Sequence, residues 1–276
     1  MQVPIPTVHL FPKLDAKLLE LLRSLTPEDW TKPTVAKLWT VKDVATHLLD
    51  GNIRMLSMVR DSYFGDTDGK IDSYRELVDF LNRLNADWVT ATKRMSPAVL
   101  IELLDITGKE YSTCIASLDP FQPALFPVAW AGEDQSLNWF HTAREYTEKW
   151  HHQQQIREAV NRPGIMSREF YFPLIDTFMQ ALPHTFRNVP AVAGEAVEVI
   201  VTSEAGGAWY LIYEKSRWIF AKNKPAEIHS SVTIDPDTAW KLFTKALSGL
   251  EAEKKIKFSG NESMARPILS MLSVMA

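Results

Sequence analysis

The chain has 276 residues, a hydrophobic fraction of 46%, a charged fraction of 23% and a formal net charge of −4. Its length is long for one domain and favours two, each able to bury its own core. The slightly acidic balance gives no reason to expect a nucleic acid or an anionic membrane as a partner. Because no leader peptide and no apolar run of membrane-spanning length is visible, the sequence predicts a cytoplasmic protein that does not cross a membrane.

The first 160 residues have the pattern of long amphipathic helices. Leucines recur with a 3.6-residue period over 14–25, and Thr40 with Asp43 predicts a capping box at the start of a helix over 40–65. A Gly/Asp-rich break covers 65–72. Further helices are predicted over 73–95, from Ser96–Pro97 onward, and from about Leu137 to Val160. Long helices joined by modest loops describe an up-down helical bundle.

After residue 163 the pattern changes to shorter alternating segments. A helix is predicted over 168–186, and Asp235 or Asp237 caps another that ends near 247. Strands are predicted over 195–202, 208–214, 217–222, 228–234 and 255–260, and a final helix over 261–275. A meander of strands followed by helix, strand and helix describes a small α+β domain. We therefore predict two domains, 1–163 and 164–276.

A candidate metal site lies in the last helix of the first domain. Glu148 and His152 are four residues apart, so their side chains share one helix face, and a carboxylate and an imidazole can hold one zinc ion together. The best candidate for a third ligand is His47, at the rim of the apolar stripe of an earlier helix, with Gly51 leaving room beside it. Two histidines and one carboxylate leave a position open, as in catalytic metal sites.

The periodicity of the same helix allows a second interpretation. An aromatic stripe from Trp139 to Trp150 lies roughly opposite the polar stripe that contains Glu148 and His152. If the aromatic side chains face the core, the polar stripe is solvated and holds no metal. Against this, the polar stripe is apolar at its ends, as expected for a functional patch in a core face. Periodicity alone favours the solvated face and leaves both interpretations open.

Two segments resemble the DinB-like four-helix-bundle superfamily. "LWTVKDVATHLLDG" resembles its Trp-Ser/Thr-Val-x-Asp-x-x-x-His-Leu segment, and "EKWHHQQQIREAV" resembles its Glu-x-x-x-His segment. The branch most similar is the mycothiol-dependent maleylpyruvate isomerase type, and residues 230–275 resemble the sterol-carrier-like C-terminal domain of that branch. The resemblance implies a divalent metal held by His47, Glu148 and His152. Zinc is the expected metal, with nickel or iron as alternatives.

The resemblance also implies a metal-dependent enzyme with a low-molecular-weight thiol as cosubstrate. Such an enzyme would be an isomerase or a thiol transferase acting on a small electrophile, which can carry a carboxylate. The single Cys114 lies in a helix-like run and is predicted to be a small buried side chain, so the thiol must come from the cosubstrate. The alternatives are a bundle that binds a metal or a small ligand without turnover, and a metal-dependent hydrolase. Arg54 and Arg144 are candidates for binding a substrate carboxylate.

Four further residues surround the candidate ligands. Gln155 stands where the family often has aspartate, which bears on the exact activity more than on metal binding. His141 and Glu145, one to two turns before Glu148, either position the ligands or are exposed. His151 is expected to be a neighbour of the site or a surface residue rather than a ligand. Bundle faces rich in tryptophan are compatible with a homodimer.

Overall fold

The structure, a computed structural model, describes residues 1–65 and 73–274, without the side chain of Tyr74. The described residues form two compact units. The first comprises Met1–Leu125 and Leu137–Ile165, and the second comprises Phe126–Ser136 and Met166–Val274. The predicted domain boundary after residue 163 stays a prediction, because compact units need not fold independently. Most of the predicted Gly/Asp-rich break lies outside the described residues.

The described part of the first unit is dominated by long helices. Their bounds are α1 (Phe11–Arg23), α2 (Val41–Met55), α3 (Tyr74–Thr92), α4 (Pro97–Ser117) and α5 (Asn138–Ala159). Helix α2 is shorter than predicted and continues as a π-helical turn over Leu56–Arg60. Among the described residues, none of the helices combines the length and the apolar character needed to cross a membrane.

Local capping fixes where α2 begins, and packing fixes what it faces. The Thr40 hydroxyl accepts from the Asp43 backbone N–H while the Asp43 carboxylate accepts from the Thr40 N–H, so the predicted capping box is present. The apolar faces of α1, α2, α4 and α5 meet in one buried cluster that includes Leu22, Val44 and Ile156. Because α2 and α5 pack against each other there, His47 on α2 comes close to the polar face of α5.

The second unit contains a five-stranded sheet with helices. Its elements are α6 (Arg168–Met179), α7 (Leu182–Phe186), β1 (Ala196–Val201), β2 (Gly207–Glu214), β3 (Arg217–Phe220), β4 (Ser230–Ile234), α8 (Pro236–Phe243), α9 (Gly249–Glu253), β5 (Lys257–Gly260) and α10 (Glu262–Ala265). The strand order is β3-β2-β1-β4-β5, and β4 pairs with β1 in parallel. The predicted fold class, a helical bundle followed by a small α+β part, is confirmed.

Three predicted details of the second unit are wrong. The strands do not form one meander, because β4 returns to the free side of β1 instead of pairing with β3. The helix predicted over 168–186 is divided into α6 and α7, since Pro183 cannot donate a hydrogen bond to the carbonyl one turn earlier. The predicted C-terminal helix consists of α10 and a 3-10 turn over Arg266–Ser270, where Pro267 has the same effect.

Candidate metal centre

Helix α5 is buried on its polar side as well as on its aromatic side. Tyr146 and Trp150 are fully buried on the aromatic side. The buried polar side chains of this helix are His141, Thr142, Thr147, Lys149, His151, His152, Gln153, Gln154, Gln155 and Arg157. A buried polar group without a partner costs about 1–3 kcal/mol, so such a helix needs specific partners for these groups. The interpretation of this face as solvated is therefore wrong.

Three side chains of α5 bring possible ligand atoms together. The ligand atoms of Glu148, His151 and His152 all lie within 4.8 Å of one another. His152 Nε2 is 3.6 Å from Glu148 Oε2, and His151 Nε2 is 4.0 Å from the same oxygen. On a tetrahedral zinc with ligands at about 2.0–2.2 Å, the ligand atoms lie roughly 3.4 Å apart. The predicted pair Glu148 and His152 therefore has a spacing that suits one ion.

His47 reaches the same place from α2. Its ring centroid is 4.6 Å from that of His152, and Trp39 covers both rings, with centroids 4.8 Å and 6.3 Å away. His47 Nδ1 is shielded from solvent and has no hydrogen-bond partner within the part of the chain that the structure describes. A Cβ added to Gly51 would meet no heavy atom of another described residue within 4 Å, so the open space expected beside His47 is present.

Glu148 is held in its ionised form by a neighbouring cation. Burial acts to raise the pKa of Glu148, but the charge of Arg144 outweighs it and holds the pKa well below its usual range. Arg144 Nη2 lies 3.1 Å from Glu148 Oε1, and its Nη1 also pairs with Glu145. The pKa of Glu145 is also lowered, because Arg144 outweighs the effect of burial. Two ionised carboxylates thus share one guanidinium.

Burial has the opposite effect on the histidines. It lowers the pKa of His47 well below the usual value and lowers the pKa of His151 to about 3. The pKa of His141 is also lowered, again mainly by burial. These three rings are therefore neutral at pH 7, which is the form in which an imidazole binds a metal ion.

A second layer of contacts orients the candidate ligands. Gln155 Oε1 lies 2.9 Å from His152 Nδ1, and because an amide oxygen only accepts, Nδ1 carries a hydrogen and Nε2 faces Glu148. On the other side, the Tyr111 hydroxyl donates to Glu145 at 2.9 Å. Glu145 in turn holds Arg144 against Glu148. Gln155 therefore sets the orientation of the His152 ring, and Glu145 acts on Glu148 through Arg144.

The two candidate arginines have different surroundings. The Arg144 guanidinium is occupied by Glu145 and Glu148, which leaves it poorly placed to bind a substrate carboxylate. Arg54 Nε lies 2.9 Å from Asp50 Oδ2, and its side chain is 35% exposed. Among the described residues, no second acceptor pairs with the Arg54 guanidinium. Of the two, Arg54 is therefore the one with donors available to a ligand.

The sequence matches the family described as the mycothiol maleylpyruvate isomerase N-terminal domain over residues 11–157, more than half of the chain. The chain belongs to this family. Two solved structures have a similar fold: the crystal structure of the mycothiol-dependent maleylpyruvate isomerase and that of a histidine-to-alanine mutant of it. Each has a TM-score of 0.53 and 10% sequence identity, with 91% of both chains covered. At this identity the likeness shows the fold alone. No curated protein matches the chain significantly.

In this family member, the structure brings most of the predicted site residues together and adds two others. His141 is buried with Nε2 3.7 Å from Glu145 Oε1, so it is not exposed and contacts the second layer. His151 lies beside the candidate ligands and is buried, so the alternative that it is a surface residue is wrong. The sequence interpretation missed Tyr111 and Trp39. No local signal marks Tyr111, whereas Trp39 is the first aromatic residue of the recognised motif.

Proposed function

We propose that this chain is a metal-dependent enzyme that uses a low-molecular-weight thiol to isomerise a small electrophile, or to transfer the thiol onto it. The observation that carries the proposal is the pair of half-buried Glu148 and buried His152, which meets His47 in a chain of this family. The family description and the names of the similar structures point to mycothiol as the thiol and to maleylpyruvate, or a related cis-alkene acid, as the substrate.

The residues present fit a divalent metal ion. The donors of His47, Glu148 and His152 are two imidazoles and one carboxylate, a set suited to zinc and also to nickel or iron. His47 Nδ1 is shielded and finds no hydrogen-bond partner in residues 1–65 and 73–274. The two carboxylates that share Arg144 leave an excess of negative charge in a buried place, which a cation would compensate.

The chain's residues prepare this place for a thiol and an acid. When bound, a divalent metal would lower the pKa of a thiol and so supply a thiolate at neutral pH. Arg144 keeps Glu148 ionised, and Gln155 keeps the His152 ring turned with Nε2 inward. The space beside Gly51 leaves room for the thiol, and Arg54, further along the same helix, offers donors to a substrate carboxylate.

The proposed isomerisation needs no other reactant. The thiolate adds to one carbon of the activated cis double bond, forming a C–S bond, and the π electron pair moves onto the conjugated carbonyl. Rotation then occurs about the bond that has become single. The electron pair returns, the C–S bond breaks, and the thiolate leaves with the trans product. In the transferase variant, the adduct instead takes up a proton and keeps the thiol.

The first test is metal content. Metal per chain should be near one in the purified wild type, and strongly reduced in His47→Ala and in His152→Ala, as measured by inductively coupled plasma mass spectrometry. His9→Ala serves as the control because His9 is exposed and remote in sequence from both helices. If neither of the two site variants contains less metal than the control, the proposed site is wrong.

The second test separates catalysis from binding alone. The cobalt-substituted protein is titrated with mycothiol, glutathione and cysteine, and conversion of maleylpyruvate is followed with each. A thiol-dependent change in the cobalt spectrum together with thiol-dependent isomerisation supports the proposal. A protein that binds metal but responds to none of the thiols is a non-turnover binder or a hydrolase, and the thiol mechanism is then wrong.

A further inference from the structure

We propose that His151 is a fourth protein ligand at this metal site and that it competes with the thiol for one coordination position. The inference rests on the proposed metal site, to which it adds a residue that the family resemblance does not assign. The starting point is the spacing in the sequence. On a helix, the residues three and four positions after Glu148 flank it on the same face, so His151 and His152 can both approach its carboxylate. Glu-x-x-His pairs of this kind hold metals in other helical bundles.

The geometry places the His151 ring within reach of the other ligands. Its centroid is 3.9 Å from that of His152, and its Nε2 is 4.0 Å from Glu148 Oε2. Only 4% of the residue is exposed, so this nitrogen does not point into bulk solvent. The three ligand atoms lie together without any rearrangement of the helix.

The hydrogen bonding of His151 fixes which nitrogen is free. Nδ1 lies 2.8 Å from the Thr147 carbonyl oxygen, and because a carbonyl only accepts, Nδ1 carries the hydrogen of the neutral ring. Nε2 therefore presents a lone pair toward Glu148, which is itself an acceptor. Two acceptors that face each other without a donor repel, and a cation between them removes this repulsion. The arrangement is thus the one that a metal ligand requires.

A fourth protein ligand has a consequence for the thiol. Structural zinc sites have four protein ligands, whereas catalytic sites keep one position open. With His47, Glu148, His152 and His151 all bound, a tetrahedral ion has no open position. His151 is the ligand that we expect the thiol to displace, since its Nε2 is farther from the shared Glu148 oxygen than the Nε2 of His152 is.

The test compares metal and thiol affinity in the full-length chain. His151→Ala and His151→Phe are prepared, the latter because it keeps a planar ring against His152. Competition with a chelator should show zinc bound at least about 10-fold more weakly in both variants, a loss typical of perturbed metal sites. In the cobalt-substituted variants, mycothiol should bind more tightly than in the wild type, because no side chain competes for its position. Added imidazole should restore metal affinity to His151→Ala.

The control is Gln154→Ala, which removes another buried polar side chain of α5, and there neither affinity should change. Unchanged zinc affinity in both His151 variants would overturn the inference while leaving the three-ligand site intact. A parallel loss of zinc and thiol affinity without rescue by imidazole would also overturn it, since that pattern indicates a role in folding only. Failure of the wild type to bind metal would instead contradict the proposed function itself.

Discussion

At the scale of single residues, hydrogen bonds in the candidate metal centre determine which ring nitrogen of a histidine faces Glu148. Gln155 stands where the family resemblance implies aspartate, yet its amide oxygen accepts from His152 Nδ1 as a carboxylate would. The difference is one of charge: a neutral acceptor makes the imidazole a less basic ligand than a carboxylate does. The replacement therefore preserves orientation and changes the electronic character of the site.

This role of Gln155 predicts a change in the tautomer of His152. In Gln155→Ala the Nδ1–H loses its acceptor, so the Nε2–H form should become populated and zinc should bind about 10-fold more weakly. Gln155→Glu should keep the Nδ1–H form and bind zinc at least as tightly as the wild type. Long-range ¹H–¹⁵N NMR spectra of the metal-free protein report the tautomer directly.

The neighbouring Gln154 provides a matched control. Its side chain is also buried, and its Oε1 has no hydrogen-bond partner among the described residues. Gln154→Ala should leave the His152 signals where they are. An unaltered tautomer in Gln155→Ala would show that other contacts, such as the packing of Trp39, orient the ring.

At the scale of secondary-structure elements, the sequence predicts best those features that residues close together in the chain determine, such as where a helix begins. Thr40, Ser73 and Ser96 each accept a hydrogen bond from a backbone N–H three residues later, and these helices begin where predicted. The partner of β4 depends on contacts distant in the sequence, and no local pattern distinguishes pairing with β1 from pairing with β3. Pro183 and Pro267 were visible signals of helix interruption that the periodicity obscured.

One contact between a helix and the sheet predicts a pH dependence of stability. The Trp209 indole on β2 donates to Asp176 Oδ1 on α6 at 2.8 Å. Burial raises the pKa of Asp176, and the hydrogen bond from Trp209 opposes this only in part. The unfolded chain ionises this carboxyl near pH 3.9, whereas the folded protein ionises it at a higher pH. As the pH rises from the unfolded pKa to the folded pKa, the contribution of this carboxyl to the free energy of unfolding therefore falls.

Asp176→Asn keeps the acceptor for Trp209 and removes the charge. It should therefore raise the melting temperature at pH 7, and this gain should disappear below about pH 3.9, where the wild-type carboxyl is protonated in both states. Asp176→Leu removes the acceptor as well and should cost about 1–3 kcal/mol. Thermal unfolding followed by circular dichroism from pH 3 to 7 tests both. A wild-type protein that is more stable than Asp176→Asn at pH 7 would refute the assignment.

At the scale of the whole molecule, the site was only partly predictable from the sequence. Glu148 and His152 share a helix, so their proximity follows from helix geometry. The approach of His47 depends on α2 packing against α5, and periodicity alone favoured the opposite orientation of α5. When a helix is buried on its polar side as well, the periodic pattern of apolar residues does not mark every buried face. The buried polar face of α5 therefore resembled a solvated one in the sequence. The recognised motifs favoured the buried orientation instead, because the resemblance implies that His47, Glu148 and His152 hold one metal ion together.

The division of the chain into two units predicts that metal binding belongs to the first one. All four candidate ligands, and the helices α2 and α5 that carry them, lie in that unit. We expect a fragment of residues 1–165 to be helical and to bind one metal ion per chain, as the full chain does. The fragment ends at 165 and not at 163 because the Trp150 indole donates to the carbonyl of Ile165.

A shorter fragment, 1–160, sharpens this test. It loses the hydrogen bond between Trp150 and Ile165, and also the contacts of Arg157 with the carbonyls of Arg162 and Pro163. Each lost bond to a buried donor costs about 1–3 kcal/mol, so 1–160 should unfold at a clearly lower temperature than 1–165. If 1–165 is helical but takes up no metal, residues of the second unit are needed for the site. The predicted assignment of the metal-binding function to the N-terminal domain alone would then be wrong.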